Sequence, residues 1–261
     1  MHPHSTAPDT QYADDRHLRA RQAFWARVEP DVDLISWALD LAGLGGDEAV
    51  LDSGCGNGVY LAALADRRHR GRLVGLDLSP GMLQSVTAPV PRVTGDLQEL
   101  PFPADAFDVA LAPHVLHHVP DRQVAAAELR RVVRPGGRCI VVTNGEGNLA
   151  RMCALVEGAA GGGWRWERPA ETVFGLESGA AQLGTAFDEV ERVDMPPRQV
   201  VITDPEVVVA YLASVRDHYE DQLPPGRWDA VLAAAGRWAA GAIGAQGELR
   251  MPTSMGAFVC R

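Results

Sequence analysis

The sequence contains no lysine. All 24 basic residues are arginines, and 34 acidic residues leave a formal net charge of −10. Proteins that bind nucleic acids gather basic side chains into patches that contact phosphates. The densest basic cluster is Arg130, Arg131 and Arg134, at the end of a predicted amphipathic helix, where arginines can cap carbonyl groups and pair with nearby acids. The charge therefore argues against a nucleic-acid partner.

Cysteine is scarce as well, and its four residues are scattered along the sequence (Cys55, Cys139, Cys153 and Cys260). They show no CxxC or Cys/His spacing, so we expect neither a disulfide framework nor a bound metal. No apolar stretch approaches the roughly 20 residues that span a bilayer, and the polar first residues lack a signal-like apolar region. We expect a cytoplasmic protein without a membrane partner, either a monomer or a homodimer.

Apolar runs alternate with helical patterns between Ala49 and Thr143. The runs predict buried strands at residues 49–54, 72–78, 92–96, 107–112 and 138–143. Helical patterns fall at 59–67, after Pro80, and at 122–133. This alternation predicts an α/β fold with a Rossmann-like, doubly wound and mostly parallel sheet. We expect seven strands, the last of them antiparallel.

The regular alternation breaks after Asn144. Amphipathic helices are predicted at 204–219 and 228–242, before a final strand, so the chain carries a helical insertion. The prediction divides the chain into four segments: an N-terminal helical lid (1–44), a ligand-binding core (45–199), a helical cap over the carboxyl ends of the strands (200–245), and a final core strand (246–261).

The segment from Asp52 to Gly58 has the sequence Asp-Ser-Gly-Cys-Gly-Asn-Gly and lies between a predicted strand and a predicted helix. Glycines at every second position let the backbone turn tightly and approach a ligand without an intervening Cβ. The helix that follows directs its free N–H groups to the same place. On its own, a glycine triplet fits a simple tight turn equally well.

Two further acids occupy the ends of the next strands. Asp77 ends the second strand, 25 residues after Asp52, where a carboxylate can accept hydrogen bonds from ribose hydroxyls. Asp96 ends the third strand, where it can accept from an adenine amino group. Each acid alone fits a turn or a cap, but three at consecutive strand ends predict one site. Apolar residues that could enclose the base lie close by in sequence: Leu76, Leu78, Met82 and Leu97.

The position of the first acid distinguishes between cofactors. Dinucleotide-binding folds usually carry G-x-G-x-x-G, whereas here an acid precedes G-x-G-x-G. A carboxylate at Asp52 would repel a pyrophosphate and attract the cationic amino-acid end of S-adenosylmethionine. The pattern therefore favours a methyl donor over NAD.

Four segments resemble, in order and spacing, the motifs of class I S-adenosylmethionine-dependent methyltransferases: VLDSGCGNGVYLAALA, VGLDLSPGML, GDLQELPFPADAFDVALAPHVLHHVPD and ELRRVVRPGG. They are most similar to the type-11 group, which includes quinone-biosynthesis and many secondary-metabolite methyltransferases. The resemblance covers about residues 45–145. Ser53, where the family often has an aliphatic residue, is a departure that we do not expect to harm binding.

This resemblance implies roles for the residues at the strand ends. Asp52, Gly54 and Gly56 would surround the methionine moiety of the donor, and Asp77 would bind the ribose hydroxyls. Asp96 and the Leu97 backbone would bind adenine. The remaining predicted donor contacts in this region are Cys55, Leu78 and Met82.

Histidines follow the fourth strand, where the acceptor is expected. Methyl transfer is an in-line displacement on an activated sulfonium, so alignment and desolvation supply much of the rate. An acceptor hydroxyl or ammonium is helped by a general base near pKa 7, which suits histidine. By resemblance His117 faces the acceptor and His118 packs under the loop. We predict His117 as the base, His114 as the second candidate, and proximity alone as the alternative.

The N-terminal helix carries two further candidates. Tyr12 could close over the donor, and Arg21 could pair with the donor carboxylate through a charge-assisted hydrogen bond. A surface tyrosine and a solvated arginine are the alternative. Several aromatic residues fit either an acceptor pocket or the core: Trp25, Trp164, Trp166, Phe174, Tyr211 and Tyr219.

The sequence therefore predicts an O- or N-methyltransferase for a small-molecule acceptor in a specialised pathway such as antibiotic biosynthesis. One alternative is an RNA methyltransferase, against which stand the acidic charge and the absence of an N-P-P-Y-like motif for flipped bases. The other is a methyltransferase-like protein that binds the cofactor without transferring methyl, because fold alone does not determine the reaction.

Overall fold

The structure is a computed structural model that describes residues 16–161, 163, 173–216, 223 and 225–261. These residues separate into two compact units. The core unit comprises the described residues of 33–146, 169–196 and 255–261, and the second unit comprises those of 1–32, 147–168 and 197–254.

Among the described residues, the helices and strands are, in chain order, α1 (Arg16–Trp25), β1 (Val28–Glu29), α2 (Leu34–Leu41), β2 (Val50–Ser53), α3 (Val59–Asp66), β3 (Leu73–Asp77), α4 (Pro80–Gln84), β4 (Arg92–Thr94), β5 (Phe107–Pro113), α5 (Arg122–Val132), β6 (Val133–Asn144), α6 (Ala150–Ala160), α7 (Gly179–Leu183), β7 (Val190–Asp194), β8 (Arg198–Ile202), α8 (Glu206–Ser214), α9 (Arg227–Gln246), β9 (Leu249–Thr253) and β10 (Met255–Cys260). A short 3-10 helix (Leu116–His118) lies between β5 and α5.

The core unit is built on a seven-stranded sheet in the order β4-β3-β2-β5-β6-β10-β7. The pairs from β4 to β6 are parallel, and β10 lies antiparallel between β6 and β7. The register places Asp52 beside Gly75 on one neighbouring strand and beside Leu111 on the other. The predicted fold, a mostly parallel seven-stranded sheet with an antiparallel last strand, is confirmed.

Helices cover both faces of this sheet, because successive side chains of a buried strand point to opposite sides. Leu51 packs with Leu129 of α5 in one apolar core. Its neighbour Val50 packs with Leu39 of α2 and Leu61 of α3 in the other. Two loops rich in candidate site residues run into helices that begin at side-chain caps. Ser79 caps α4 and Asp121 caps α5.

The arginine cluster at the end of α5 caps carbonyl groups and pairs with acids, as predicted. Arg130 donates to a backbone carbonyl, and Arg134 forms an ion pair with Asp108. Arg131 binds Glu128 at 2.6 Å and also donates to two backbone carbonyls, at Phe102 (2.7 Å) and Leu100 (3.0 Å). The cluster therefore fastens the loop after β4 to α5, which is a structural role.

The second unit contains a three-stranded antiparallel sheet in the order β1-β8-β9. Helices α1, α6, α8 and α9 belong to the same unit. Its apolar core includes Phe24, Val200, Val231 and Met251. None of the helices in the described part of the chain is both long and apolar enough to cross a membrane.

The two units divide the chain differently from the predicted segments 1–44, 45–199, 200–245 and 246–261. Helix α2, assigned to the lid by the sequence, packs in the core unit, and α6, assigned to the core, packs against α9 in the second unit. Strand β9 lies in the predicted final core strand but pairs with β8 instead. The reason is that strand pairing joins residues far apart in sequence, which a local apolar pattern does not specify.

Candidate functional site

The loop between β2 and α3 has a left-handed backbone at Gly54, Gly56 and Gly58, with φ of +74°, +55° and +77°. Side chains with a Cβ disfavour this region, so the turn requires glycine at these alternate positions. Gly58 immediately precedes α3. The loop therefore carries the chain from the carboxyl end of β2 directly into the first turn of α3.

The N–H groups of this loop are engaged inside the protein. Gly54 and Cys55 both donate to the carbonyl of Leu76, at 2.7 and 2.9 Å, and Gly56 donates to Asp77 Oδ2 at 2.8 Å. A loop that cradles phosphates presents such N–H groups to its ligand. Here three of them bind β3, which supports the predicted preference for a ligand that is not held by its phosphates.

Asp77 joins three elements at the carboxyl end of β3. Its second oxygen, Oδ1, accepts from the Ser79 N–H at 2.9 Å, just before α4, and its backbone carbonyl accepts from Gly95 at 3.1 Å. Burial raises the pKa of the Asp77 carboxyl, although the N–H groups of Ser79 and Gly56 oppose this shift. A carboxylate can accept about four hydrogen bonds, so two positions stay available for a ligand's hydroxyl groups.

Asp52 is fully buried at the end of β2, with 0% of its surface exposed. Neither of its carboxyl oxygens has a hydrogen-bond partner. Burial, and secondarily the charge of Asp77, raise the pKa of Asp52 to about 8. The Tyr60 hydroxyl on α3 is also buried without a partner, and burial and the charge of Asp52 raise its pKa. This buried carboxyl is therefore uncompensated within the described protein, and a bound cation would stabilise its charged form.

Asp96 follows β4, and its carboxylate is held by a glutamine two residues on. The Gln98 N–H donates to Asp96 Oδ1 at 2.8 Å, and Gln98 Nε2 lies 3.1 Å from Oδ2 and 3.3 Å from Oδ1. The structure places Asp96 next to Gly95, whose N–H binds Asp77. The acids of β3 and β4 are therefore linked through adjoining backbone.

The apolar residues predicted around adenine differ in exposure. Leu78 exposes 71% of its surface, whereas Met82 and Leu97 expose 2% and 5%. Cys55 is buried too, and burial together with the charges of Asp52 and Asp77 raises the pKa of its thiol. Leu78 is thus the one of these four side chains that is open to a ligand. Met82 and Leu97 would contribute through the backbone or through the packing beneath.

The three histidines lie at the carboxyl end of β5 in different environments. His114 has a left-handed backbone (φ +53°), its N–H donates to Val142 of β6 at 2.9 Å, and burial lowers the pKa of its ring to about 4. His117 and His118 are both exposed on the 3-10 helix, with ring centroids 4.0 Å apart, so the expectation that His118 packs under the loop is wrong. Among the described residues, no group of three or more His, Cys, Asp or Glu side chains could hold a metal ion.

The remaining candidates lie in the second unit, in the core, or outside the described residues. The Arg21 guanidinium donates to the Ser214 carbonyl at 3.0 Å. Trp25 and Tyr211 pack in one aromatic cluster of the second unit, with centroids 6.2 Å apart, and Phe174 is buried in the core unit. Tyr12, Trp164, Trp166 and Tyr219 lie outside the described residues.

The structure brings Asp52, Asp77 and the glycine loop together, and it adds residues that the sequence analysis missed. Tyr60 lies four residues beyond Gly56 and Gln98 directly follows Leu97, and that proximity was the available signal. Ser53, the departure from the family pattern, is fully buried and donates to the Leu111 carbonyl at 2.6 Å. Its hydroxyl is therefore satisfied within the sheet.

Gly54→Ala should lower the free energy of unfolding strongly. An alanine Cβ would lie 2.4 Å from Val115 Cγ2. Overpacking of this kind costs roughly 1–3 kcal/mol, and a left-handed backbone adds about 1–2 kcal/mol for a residue with a Cβ. Urea unfolding of the two single variants and of Gly54→Ala/Val115→Ala tests this. The double variant should be more stable than the sum of the single losses predicts; strict additivity would contradict the contact.

Comparison with known proteins shows that one segment of this chain is similar to methyltransferases. Residues 51–141 match the type-11 methyltransferase domain family. The chain is 43% identical over 88 residues to a malonyl-[acyl-carrier protein] O-methyltransferase of Dechloromonas aromatica, covering 34% of this chain and 33% of the relative. It is 40% identical over 100 residues to a demethylmenaquinone methyltransferase of Mycolicibacterium paratuberculosis, covering 38% and 43%. The chain thus spans less than half the length of these curated relatives.

Solved structures extend the likeness of fold along most of the chain. A protein described as a methyltransferase of an antibiotic biosynthesis pathway from Anabaena variabilis has a TM-score of 0.62 at 17% identity, covering 89% of this chain and 98% of that one. The [4+2]-cyclase SpnF has a TM-score of 0.51 at 21% identity, covering 87% and 78%. At such identities the likeness concerns the fold alone. The matched segment and the sheet order together make residues 51–141 similar to class I, Rossmann-like methyltransferase domains.

Proposed function

We propose that this protein is an S-adenosylmethionine-dependent methyltransferase that methylates an oxygen or nitrogen atom of a small molecule from a specialised biosynthetic pathway. The observation that carries the proposal is the fully buried carboxyl of Asp52 and the half-buried carboxyl of Asp77, beside a glycine loop whose N–H groups are already engaged. The names of two relatives also support methyl transfer, since one is a malonyl-[acyl-carrier protein] O-methyltransferase and the other a demethylmenaquinone methyltransferase.

The residues present fit S-adenosylmethionine. Among the described residues, neither carboxyl oxygen of Asp52 has a hydrogen-bond partner, so a cationic amino-acid end would compensate its charge in a low-dielectric interior. Asp77 has capacity for two ribose hydroxyls, and the exposed Leu78 next to it offers an apolar surface to a base. When bound, this donor supplies a methyl group on a sulfonium.

Each of these residues would bind or orient rather than react. Gly54, Cys55 and Gly56 would surround the methionine moiety, and Asp96 with the Leu97 backbone would bind adenine, with Met82 packed beneath. Two further elements stay predictions. One is a helical lid that carries Tyr12 and Arg21, and the other is a cap formed by residues 200–245; each is predicted to cover the bound donor. Exclusion of water and alignment would then supply much of the rate.

The proposed general base is His117. The proton of an acceptor hydroxyl would pass to its imidazole as the oxygen attacks, and an acceptor ammonium would lose its proton to the imidazole before the nitrogen attacks. His114, the second candidate, is a weaker base because its pKa of about 4 keeps it neutral at pH 7 and makes proton uptake unfavourable. It would orient the acceptor instead.

The test has two arms. Isothermal titration with S-adenosylmethionine and its product S-adenosylhomocysteine measures donor binding, and a screen of phenolic, carboxylate and amine acceptors with methyl-labelled donor measures transfer. Donor binding with transfer to at least one acceptor supports the proposal. No binding of either ligand by the folded protein refutes it. Binding without transfer to any acceptor would favour the alternative of another reaction on this fold, which a [4+2]-cyclase also adopts.

His117→Ala should lower the turnover number by about 100-fold or more, the usual contribution of a positioned general base. Donor affinity should stay within about twofold of the native value, because His117 lies outside the proposed donor contacts. His118→Ala, its exposed neighbour, is the matched control and should retain turnover. Unchanged turnover in the His117 variant would make catalysis by proximity the better account.

A further inference from the structure

Gln98 connects two parts of the core unit that the proposed reaction needs together. Its Nε2 lies 3.1 Å from Asp96 Oδ2, and its N–H donates to Asp96 Oδ1 at 2.8 Å. Its Oε1 accepts from the backbone N–H of Asp121 at 3.0 Å. Asp121 is the N-terminal cap of α5, three residues after the histidine loop ends at His118.

The two ends of this glutamine have opposite chemistry, and the site uses both. The amide NH₂ can only donate, and it faces a carboxylate; the amide oxygen can only accept, and it faces an N–H. Glutamine satisfies both neighbours, whereas glutamate would place a second carboxylate against Asp96. The second half of the same loop is held independently, since Glu128 accepts from the Leu100 N–H at 2.8 Å. Loss of the Gln98 side-chain amide would therefore release Asp96 Oδ2, while the backbone N–H of residue 98 still binds Oδ1 and the rest of the loop stays in place.

We propose that Gln98 is a positioning residue that sets the specificity for adenine, by holding the Asp96 carboxylate in the orientation that accepts from the base's amino group and tying it to the start of α5. The inference rests on the proposed function, because it takes Asp96 as the adenine acceptor. A carboxylate with its two oxygens fixed accepts from an amino group and repels the carbonyl oxygen of a 6-oxo purine. Gln98 itself touches no reacting atom in this assignment.

The experiment compares S-adenosylhomocysteine with S-inosylhomocysteine, which carries a 6-oxo purine, as ligands of the full chain. The native protein should bind the adenosyl ligand at least about tenfold more tightly, since a lost and mismatched polar contact costs this much or more. Gln98→Met, similar in size but without the amide, should reduce this ratio severalfold. Gln123→Glu, on the exposed side of α5, controls for the added charge of the next variant.

Gln98→Glu should change the pH dependence of ligand affinity, which a purely structural role of Gln98 would leave unchanged. Two carboxylates at about 3 Å share a proton at low pH and repel each other once both ionise. The affinity of this variant for S-adenosylhomocysteine, relative to the native protein at the same pH, should approach one at pH 5 and fall about tenfold by pH 8. The ionisable groups bonded to this loop or adjacent to it include Asp77, Glu99, Asp121, Glu128 and Arg131, and all are common to both proteins.

The outcomes separate the two claims. If the native protein binds neither ligand, the proposed function fails and the role of Gln98 fails with it. If the native protein prefers the adenosyl ligand, and both Gln98 variants keep the full ratio and a flat relative pH profile, the proposed function stands and the role of Gln98 is overturned. A reduced ratio in Gln98→Met, together with recovery of Gln98→Glu at low pH, supports it.

Discussion

Asp77→Asn is expected to weaken binding of S-adenosylmethionine by about 100-fold or more, because each hydrogen bond to a charged group contributes roughly 1.5–3 kcal/mol and two ribose hydroxyls are involved. The variant also disturbs the hydrogen bonds that Asp77 makes within the protein. In the native protein the two oxygens of Asp77 accept separately from the N–H groups of Gly56 and Ser79. An asparagine amide has one acceptor oxygen, so one of these N–H groups would face an NH₂ group.

Isothermal titration checks this result, with thermal unfolding measured on the same samples to separate binding from folding. Asp66→Asn is the control, since Asp66 is an exposed residue at the end of α3. Asp77→Glu keeps the charge and should bind more tightly than Asp77→Asn. Native-like affinity in a folded Asp77→Asn protein would remove Asp77 from the donor site.

Asp52→Asn is expected to make the free energy of unfolding depend much less on pH. The folded protein raises the pKa of this carboxyl to about 8 from an ordinary value of 3.8, so between these values the folded state holds a proton that the unfolded state has lost. Stability is therefore fully present below about pH 4 and falls as pH rises towards 8. At 1.36 kcal/mol per unit of pKa, the loss amounts to several kcal/mol.

Unfolding by urea between pH 5.0 and 8.5 measures this slope in the absence of ligand. The native protein should lose stability with pH, and Asp52→Asn should show a much smaller slope, with the remainder due to Asp77. The same variant should bind the cationic donor at least about tenfold more weakly at pH 8, where the native carboxylate is charged and unpaired. Equal slopes in the two proteins would mean that Asp52 is solvated or paired in solution.

These two predictions concern Asp77 and Asp52. The sequence indicated their positions at strand ends, but it did not indicate which groups surround them. The strand ends at Asp52, Asp77 and Asp96 follow from short apolar runs that end in glycine or acid, and β-strands with such runs lie where predicted. The complete enclosure of Asp52 depends on how α3 and β5 pack around β2. That packing joins residues far apart in the chain, and a local pattern of apolar residues does not predict it.

The same limit applies to the loop N–H groups and to the second unit. Alternate glycines indicate a left-handed turn, but only the register of β2 with β3 shows that the carbonyl of Leu76 uses two of its N–H groups. Strands β8 and β9 pair residues 198–202 with residues 249–253, which a local apolar pattern does not specify.

The position of β10 has a consequence for the order in which this protein can be assembled on the ribosome. Within the described residues, the backbone partner of β7 is β10, which emerges about 60 residues after β7 has been synthesised. Until then the strand with which β7 pairs has not been synthesised, while the strands from β4 to β6 can already pair with one another. Nascent chains halted before residue 255 would thus present an incomplete sheet in which β6 is an exposed edge strand. Such an edge is a place where a chaperone could bind.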